Sequence, residues 1–340
     1  MHTTPKKDID FLIVGQGLAG SMLAWFLAAE NRTFRVVDVI KPNSASRVAA
    51  GLMNPVTGRR FVKSWKVDVL FPFAQKTYRE MGAHFGQTFF HARNILRALY
   101  NHVEETAWLL RTGDPAYRHY IREPARLAEF EGKVIPARSW CELTGGGQVD
   151  VAELVDAMRG FLKAKDCLDD AVFDFEKLHI AENYVEYGSW RAQKVVFCEG
   201  IAGQHNPWFG YLPFLGSKGE VLIVRMPVEP FHRILKHKVF VVPIRGDQYW
   251  VGSFYDREDP SESPTEAGYL NLLDKLRASL QVPFEVVEHR AAIRPTVKDR
   301  RPFLGLHPEF PALAIFNGLG TKGASLAPFF ARQMTRFLLH

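Results

Sequence analysis

A glycine string between two apolar runs, close to the start of the chain, limits the fold more than any other feature. Ile9–Val14 (IDFLIV) has the length and composition of a buried strand. Gly15-Gln16-Gly17-Leu18-Ala19-Gly20 follows, and Leu18–Ala29 continues as a helix that is apolar nearly all round. Phe34–Val39 (FRVVDV) reads as a second buried strand. Strand, turn, helix and strand together make a βαβ unit, and each glycine has a task in it. Gly15 permits the sharp turn, Gly17 lets the backbone approach a pyrophosphate, and Gly20 lets the helix lie against the strand. The helix N-terminus turns unpaired N–H groups toward the phosphates. Asp38 stands at the end of the second strand, where a carboxylate accepts hydrogen bonds from adenosine ribose hydroxyls.

The same stretch has another reading. Phe11–Ala29 is uncharged and mostly apolar and follows Lys6 and Lys7, as in a secretory leader or a short membrane span. Three glycines interrupt it, and Asp8 and Asp10 stand just before it, so strand, turn and helix explain it better. No membrane association is expected. The three cysteines, Cys141, Cys167 and Cys198, are odd in number and lack CxxC spacing. That argues against a disulfide framework or a zinc site and leads us to expect a reducing, cytoplasmic compartment. His232 and His237 are not spaced as a metal pair, and the other histidines are scattered. The net charge of +6 permits an acidic partner without demanding one.

The rest of the chain mixes both regular structures. Val151, Leu154, Val155, Met158 and Leu162 recur at helical spacing behind Asp150, with Glu153 completing a capping box. Ala171–Phe175, Tyr184–Tyr187 and Lys194–Cys198 read as strands. From Gly219 the runs GEVLIVRM, KVFVVPI and QYWVGSFY suggest antiparallel strands. Ser263-Pro264-Thr265-Glu266 reads as a second capping box with proline at the first helical position. Ala312–Phe316 is a further strand, Asn317–Gly323 a glycine-rich turn, and Ser325–Leu338 a closing helix. A strand, glycine turn and helix at the far end of the chain suit a long dinucleotide whose ring is held by a remote C-terminal loop.

Five stretches in order, DFLIVGQGLAG with VVD, SASRVAAGLMNP, GGQVDVAELVDAM, KVVFCEG, and IRPTVKDRRPFLG followed by NGLGTKGASLAP, resemble the flavoprotein superfamily of D-amino-acid oxidase, glycine oxidase and sarcosine oxidase. The resemblance implies an α/β fold in which an FAD-binding Rossmann-like domain (1–84, 146–204 and 291–340) interleaves with an α+β substrate domain on an antiparallel sheet (85–145 and 205–290). It implies noncovalent FAD. Gly15, Gly17, Leu18, Ala19, Gly20 and Asp38 would hold the ADP half. Ser46, Arg47, Ala50, Gly51 and Leu52 would follow the pyrophosphate, ribityl chain and flavin ring. Val172 would meet the adenine through its backbone, and Gly200 would follow the strand that returns to the cofactor. Gly318, Gly320, Thr321, Lys322 and Gly323 would lie near the flavin pyrimidine edge, with Lys322 alternatively a solvent-facing turn lysine. Arg294 would bind a substrate carboxylate or else form a structural pair with Asp299. Tyr255, with Tyr249 and Trp250, would line the pocket or serve the sheet core.

The implied reaction is hydride transfer from a carbon bearing an amine to flavin N5, on an amino acid or secondary amine. Two departures bear on the substrate. Phe240 stands where relatives carry Tyr before Val-Pro, and Thr321 where they carry a second Arg. Both remove a polar contact to a small amino acid, so the expected substrate is not simply glycine or a D-amino acid. The runner-up reading is a tRNA wobble-uridine-modifying oxidase that removes a carboxymethyl group from a secondary amine, with RNA as partner. A flavin-binding protein without turnover is the third.

Overall fold

The computed structural model describes residues 6–256 and 258–340. The chain divides into two compact units, each assembled from separated segments. The first comprises the segment ending at Arg47, Val151–Ser217 and Ile293–His340; the second comprises Val48–Asp150 and Lys218–Ala292. Residues 48–84, assigned from the sequence to the nucleotide-binding part, fall within the second unit.

The first unit is built on the βαβ unit. Its sheet begins Leu168–Asp170, Phe34–Asp38, Lys7–Val14, Trp190–Phe197, and Leu313–Asn317 also pairs with Trp190–Phe197. All four of these pairings are parallel. A parallel sheet hides both faces, which is why Phe11–Val14 reads as an unbroken apolar run and is buried throughout. The helix Leu18–Ala29 has the expected bounds, and the closing helix Gly323–Leu339 packs on it. Leu12, Val14, Val37, Val195, Phe197, Phe209 and Ile315 share one core. The strand expected at Ala171–Phe175 is displaced. The strand is Leu168–Asp170, and Phe175–Lys177 is a 3₁₀ turn. Phe173 instead stacks on Tyr187, with centroids 4.5 Å apart, so aromatic packing rather than a ladder fixes this stretch.

The second unit carries the antiparallel runs. Its main sheet includes Phe240–Pro243 paired with Gln248–Asp256, and Gln248–Asp256 paired with Lys218–Arg225. Leu222, Val224, Val241, Tyr249, Val251, Leu272 and Leu276 form its core. The helix Glu266–Arg277 is capped by Thr265, not Ser263: Gly268 N donates to Thr265 Oγ1 at 3.0 Å. The choice follows from Glu220, a buried carboxylate that accepts from Thr265 N (2.9 Å) and Thr265 Oγ1 (2.7 Å). Lys218 is buried beside it, bonded to Asp259, Ser261 and Ser263. Among the described residues, no helix is long and apolar enough to cross a membrane.

Candidate functional site

The glycine turn of the first unit is built by close approach. Gly15 has φ +96°, and a Cβ there would stand 2.6 Å from Cys198 O. A Cβ on Gly20 would fall inside the van der Waals shell of Gly15 O, so helix and turn are packed backbone to backbone. At Gly17 the nearest atom is only Ser46 Oγ, 3.2 Å away, and the space beside the helix N-terminus is otherwise clear. The first turn of that helix carries no acid, and Leu18 N donates to Ser46 Oγ at 3.0 Å. This is a terminus whose dipole and N–H groups favour an anion.

Asp38 is fixed from both sides. Its Oδ1 accepts from Gln16 N at 2.9 Å, and its Oδ2 accepts from Arg159 Nη1 at 2.7 Å. Arg159 is 4% exposed, and its Nη2 donates to Asp170 Oδ1 at 2.7 Å. Gln16, equally buried, donates from Nε2 to Ser21 Oγ and Val155 O, both at 2.9 Å, and accepts from Arg159 at Oε1. Lys163 and Arg159 hold the Asp170 carboxyl below the usual range. Sequence reasoning missed both Gln16 and Arg159. The signal was present: Arg159 continues the Val151–Val155 stripe of its helix, where an arginine must find a buried partner.

The structure groups many of the expected residues and separates others. Ser46 joins the glycine turn through Leu18, while Arg47 forms a bidentate pair with Asp156. A Cβ on Gly323 would stand 3.3 Å from Leu18 Cδ2, which places the start of the closing helix beside the glycine turn. Gly200 follows the central strand, and its carbonyl accepts from Asn317 Nδ2 at 2.9 Å. That bond ties it to the strand leading into the Gly318–Lys322 turn. Val172 lies outside any strand and is 74% exposed. Ala50, Gly51, Leu52 and Tyr255 belong to the second unit. There Ala50 is buried, Gly51 packs on Val149 O, Leu52 pairs with Gln148, and Tyr255 is exposed. Tyr249 is wholly buried, with its hydroxyl accepting from Phe231 N at 3.0 Å, so it is a core residue and not a pocket wall. Trp250 Nε1 donates to Val48 O at 2.8 Å, anchoring the segment that leads to Ala50.

Two titratable groups stand out. Burial pushes Glu199 up to about 7, against the opposing pull of the Asn206 amide, 2.8 Å away, and of Lys41. Glu199 lies beside Gly15, where a Cβ would stand 3.3 Å from its Cα. Burial, with Arg300 and Arg301 alongside, holds Lys322 below the usual lysine range. Asp299, the alternative partner considered for Arg294, accepts the backbone N–H of Arg301 at 2.9 Å. His237 is buried, contacting Tyr100 Oη and Ile135 O, and burial pushes it down. Among the described residues no cluster of three or more His, Cys, Asp or Glu is placed to hold a metal.

The family described as FAD dependent oxidoreductase (DAO) matches residues 10–337. The chain belongs to this family. It is an FAD-dependent oxidoreductase. It is 25% identical to glycine oxidase of Bacillus subtilis (strain 168) over 361 residues, covering 95% of this chain and 91% of that protein. The glycine oxidase structure from Geobacillus kaustophilus matches with a TM-score of 0.80 at 19% identity, over 98% of this chain and 95% of the other. A shorter stretch of 108 residues is 33% identical to the tRNA 5-methylaminomethyl-2-thiouridine biosynthesis bifunctional protein of Pseudomonas aeruginosa (strain UCBPP-PA14). It covers 28% of this chain and 16% of that protein.

Proposed function

We propose that this FAD-dependent oxidoreductase oxidises the C–N bond of an amino acid or of a secondary amine bearing a carboxylate. When bound, FAD accepts the hydride at N5; the protein binds and orients the substrate and excludes water. The observation that carries the reading is the joined geometry of the first unit, in a chain that aligns with a glycine oxidase over 95% of its length. The glycine turn, Ser46, the Arg159–Asp38 pair and the start of the closing helix meet at one end of the parallel sheet.

The residues suit the cofactor. Gly15, Gly17, Leu18, Ala19 and Gly20 offer backbone to a pyrophosphate, and Asp38, with each oxygen already held by one donor, keeps lone pairs for ribose hydroxyls. Ser46 and Arg47 would flank the pyrophosphate, the backbone near Val172 would meet the adenine, and Gly200 would close the return of the central strand. Gly318, Gly320, Thr321, Lys322 and Gly323 would hold the pyrimidine edge, where a cation and a helix N-terminus would favour negative charge. Arg294 receives the substrate carboxylate through its planar fork of donors. For Ala50, Gly51, Leu52 and Tyr255, in the second unit, the assignment rests on the resemblance.

The test is flavin reduction. The purified protein should be yellow, and under anaerobic conditions an amine or amino acid from a panel should bleach it. The 108-residue stretch shared with the tRNA-modifying protein favours a second reading, in which the secondary amine is carried on RNA. Binding to bulk tRNA across a salt series separates the two, because phosphate contacts make affinity fall steeply with salt.

A further inference from the structure

Glu199 is a carboxyl at the edge where the cofactor's diphosphate is expected, with no task in the reaction proposed above. Three neighbouring strands of the first unit end there side by side: Val14 pairs with Val37 on one side and with Phe197 on the other. Gly15 N donates to Val37 O at 3.0 Å and Cys198 N to Val14 O at 2.7 Å, so the ladders run to the ends of the strands. Sheets of this kind bind ligands in the crevice beyond the carboxyl ends of their strands. A Cβ on Gly15 would lie 3.3 Å from Glu199 Cα, so the backbone of Glu199 packs on the first glycine of the turn. Lys41 follows the strand on the far side of Gly15, and its charge acts on Glu199 across the turn.

The two oxygens of Glu199 differ. Oε2 accepts from Asn206 Nδ2 at 2.8 Å. Asn206 is buried, and its own Oδ1 accepts from Trp208 N at 2.9 Å and Phe209 N at 3.0 Å. Those two backbone donors fix which end of the amide is oxygen, so the end facing Glu199 is a donor. Oε1 makes no hydrogen bond among the described residues. Around the carboxyl stand the Asn206 amide, the Cys198 thiol, itself pushed up by burial, and exposed Lys41. Among the described residues, Lys41 carries the one formal charge that acts on it. Burial outweighs both attractions, so the carboxyl keeps its proton longer than an exposed glutamate does. A diphosphate at the glycine turn adds negative charge beside it and favours the neutral form further.

We propose that Glu199 binds FAD as a neutral acid, donating the hydrogen on Oε1 to a diphosphate oxygen above Gly15 while Oε2 accepts from Asn206. This inference rests on the diphosphate lying at the glycine turn, as proposed above, and not on which amine is oxidised. A carboxylic acid O–H on an anionic oxygen is a charge-assisted bond, whereas the same group ionised repels it. Where the free protein has lost this proton, binding must draw one from water. Affinity is therefore greatest in acid and falls as pH rises past neutrality.

The experiment measures free and bound FAD by ultrafiltration of the holoenzyme over a dilution series, at fixed ionic strength, from about pH 6 to about pH 8.5. The dissociation constant of the parent should rise at least ~5-fold across this range. Glu199→Gln keeps a donor and loses the titration, so its constant should change by less than ~2-fold. Lys41→Gln removes the cation that favours ionisation and should move the parent's rise to higher pH, a readout that stands even where the Glu199 variant does not fold. A parent constant that is flat, or that falls as pH rises, overturns the proposal; the fall is the mark of an ionised Glu199 accepting from ribose hydroxyls. A Glu199→Gln protein that keeps the parent's rise overturns it too, as does a Lys41→Gln rise that stays in place or moves to lower pH. Gly17→Ala protein that binds FAD as the parent does defeats the placement of the diphosphate instead.

Discussion

Arg159 Nη1 lies 2.7 Å from Asp38 Oδ2, and this half-buried pair sets the dinucleotide end of the first unit. The carboxylate expected to meet a ribose is held in place by an arginine that also reaches Asp170 and Gln16. Arg159→Ala would leave Asp38 without its strongest partner and remove a cation from a site built around it. Losing one partner of a half-buried pair of this kind costs ~1–3 kcal/mol. Reconstitution of apoprotein with FAD should show at least a ~10-fold weaker dissociation constant, and Arg159→Lys should recover little, because one ammonium cannot serve both carboxylates in the same geometry. Unchanged affinity and stability in both variants would remove Arg159 from this role.

The three glycines of the turn should separate under substitution. Gly20→Ala drives a methyl against Gly15 O and should lower stability by ~2 kcal/mol or more. Gly17→Ala meets only Ser46 Oγ at 3.2 Å, so the apoprotein melting temperature should barely move. Its flavin content should nevertheless fall, because the methyl occupies the approach to the phosphates. Thermal melts of apoprotein alongside flavin-to-protein ratios read both effects. Equal damage to stability at the two positions would contradict the geometry.

Glu199 should make the apoprotein's stability pH dependent. Its folded pKa, about 7, lies above the unfolded value near 4.5, so the native state holds the proton longer. The stabilisation is complete below pH 4.5 and is lost as pH rises toward 7. Unfolding free energies from urea titrations should fall across that window by an amount on the order of 1–3 kcal/mol, and Glu199→Gln should flatten this part of the profile. A variant profile that keeps the parent's slope counts against Glu199 as its source.

The second unit should fail through Lys218. This side chain is fully buried, and Asp259, held down to about 2 by the Lys218 ammonium and the Ser261 groups, is its closest carboxylate. Lys218→Ala should destabilise the protein, since it takes a buried ammonium from beside Glu220 and releases Asp259, Ser261 and Ser263 from their shared donor. Lys218→Met, which keeps the length, should recover packing but not the loop that Asp259, Ser261 and Ser263 hold. Limited proteolysis should then cut within residues 256–265, and an uncut loop would speak against the clamp.

What the sequence made legible follows from the kind of signal each element carries. Helix Leu18–Ala29 and strands Lys7–Val14 and Phe34–Asp38 announced themselves because parallel strands are apolar on both faces and the glycines punctuate them. The closing turn was legible for the same reason. Val172 was misplaced into a strand because VFDF mimics strand composition, whereas the real ladder uses Leu168–Asp170, whose polar residues suit a sheet edge. Ser263 lost the cap to Thr265 because of Glu220, some 45 residues away in sequence, and local pattern carries no trace of such a contact. Arg159 was overlooked because its apolar helix stripe explained its neighbours without it.

The most direct measurement is an anaerobic titration of the purified protein with a panel of amino acids and N-carboxyalkyl amines, followed by the flavin absorbance. The account predicts bound FAD that at least one carboxylate-bearing amine bleaches, with Arg294→Ala raising the half-saturating concentration by ~10-fold or more. Protein that retains no FAD, or FAD that every such amine leaves oxidised, would contradict it.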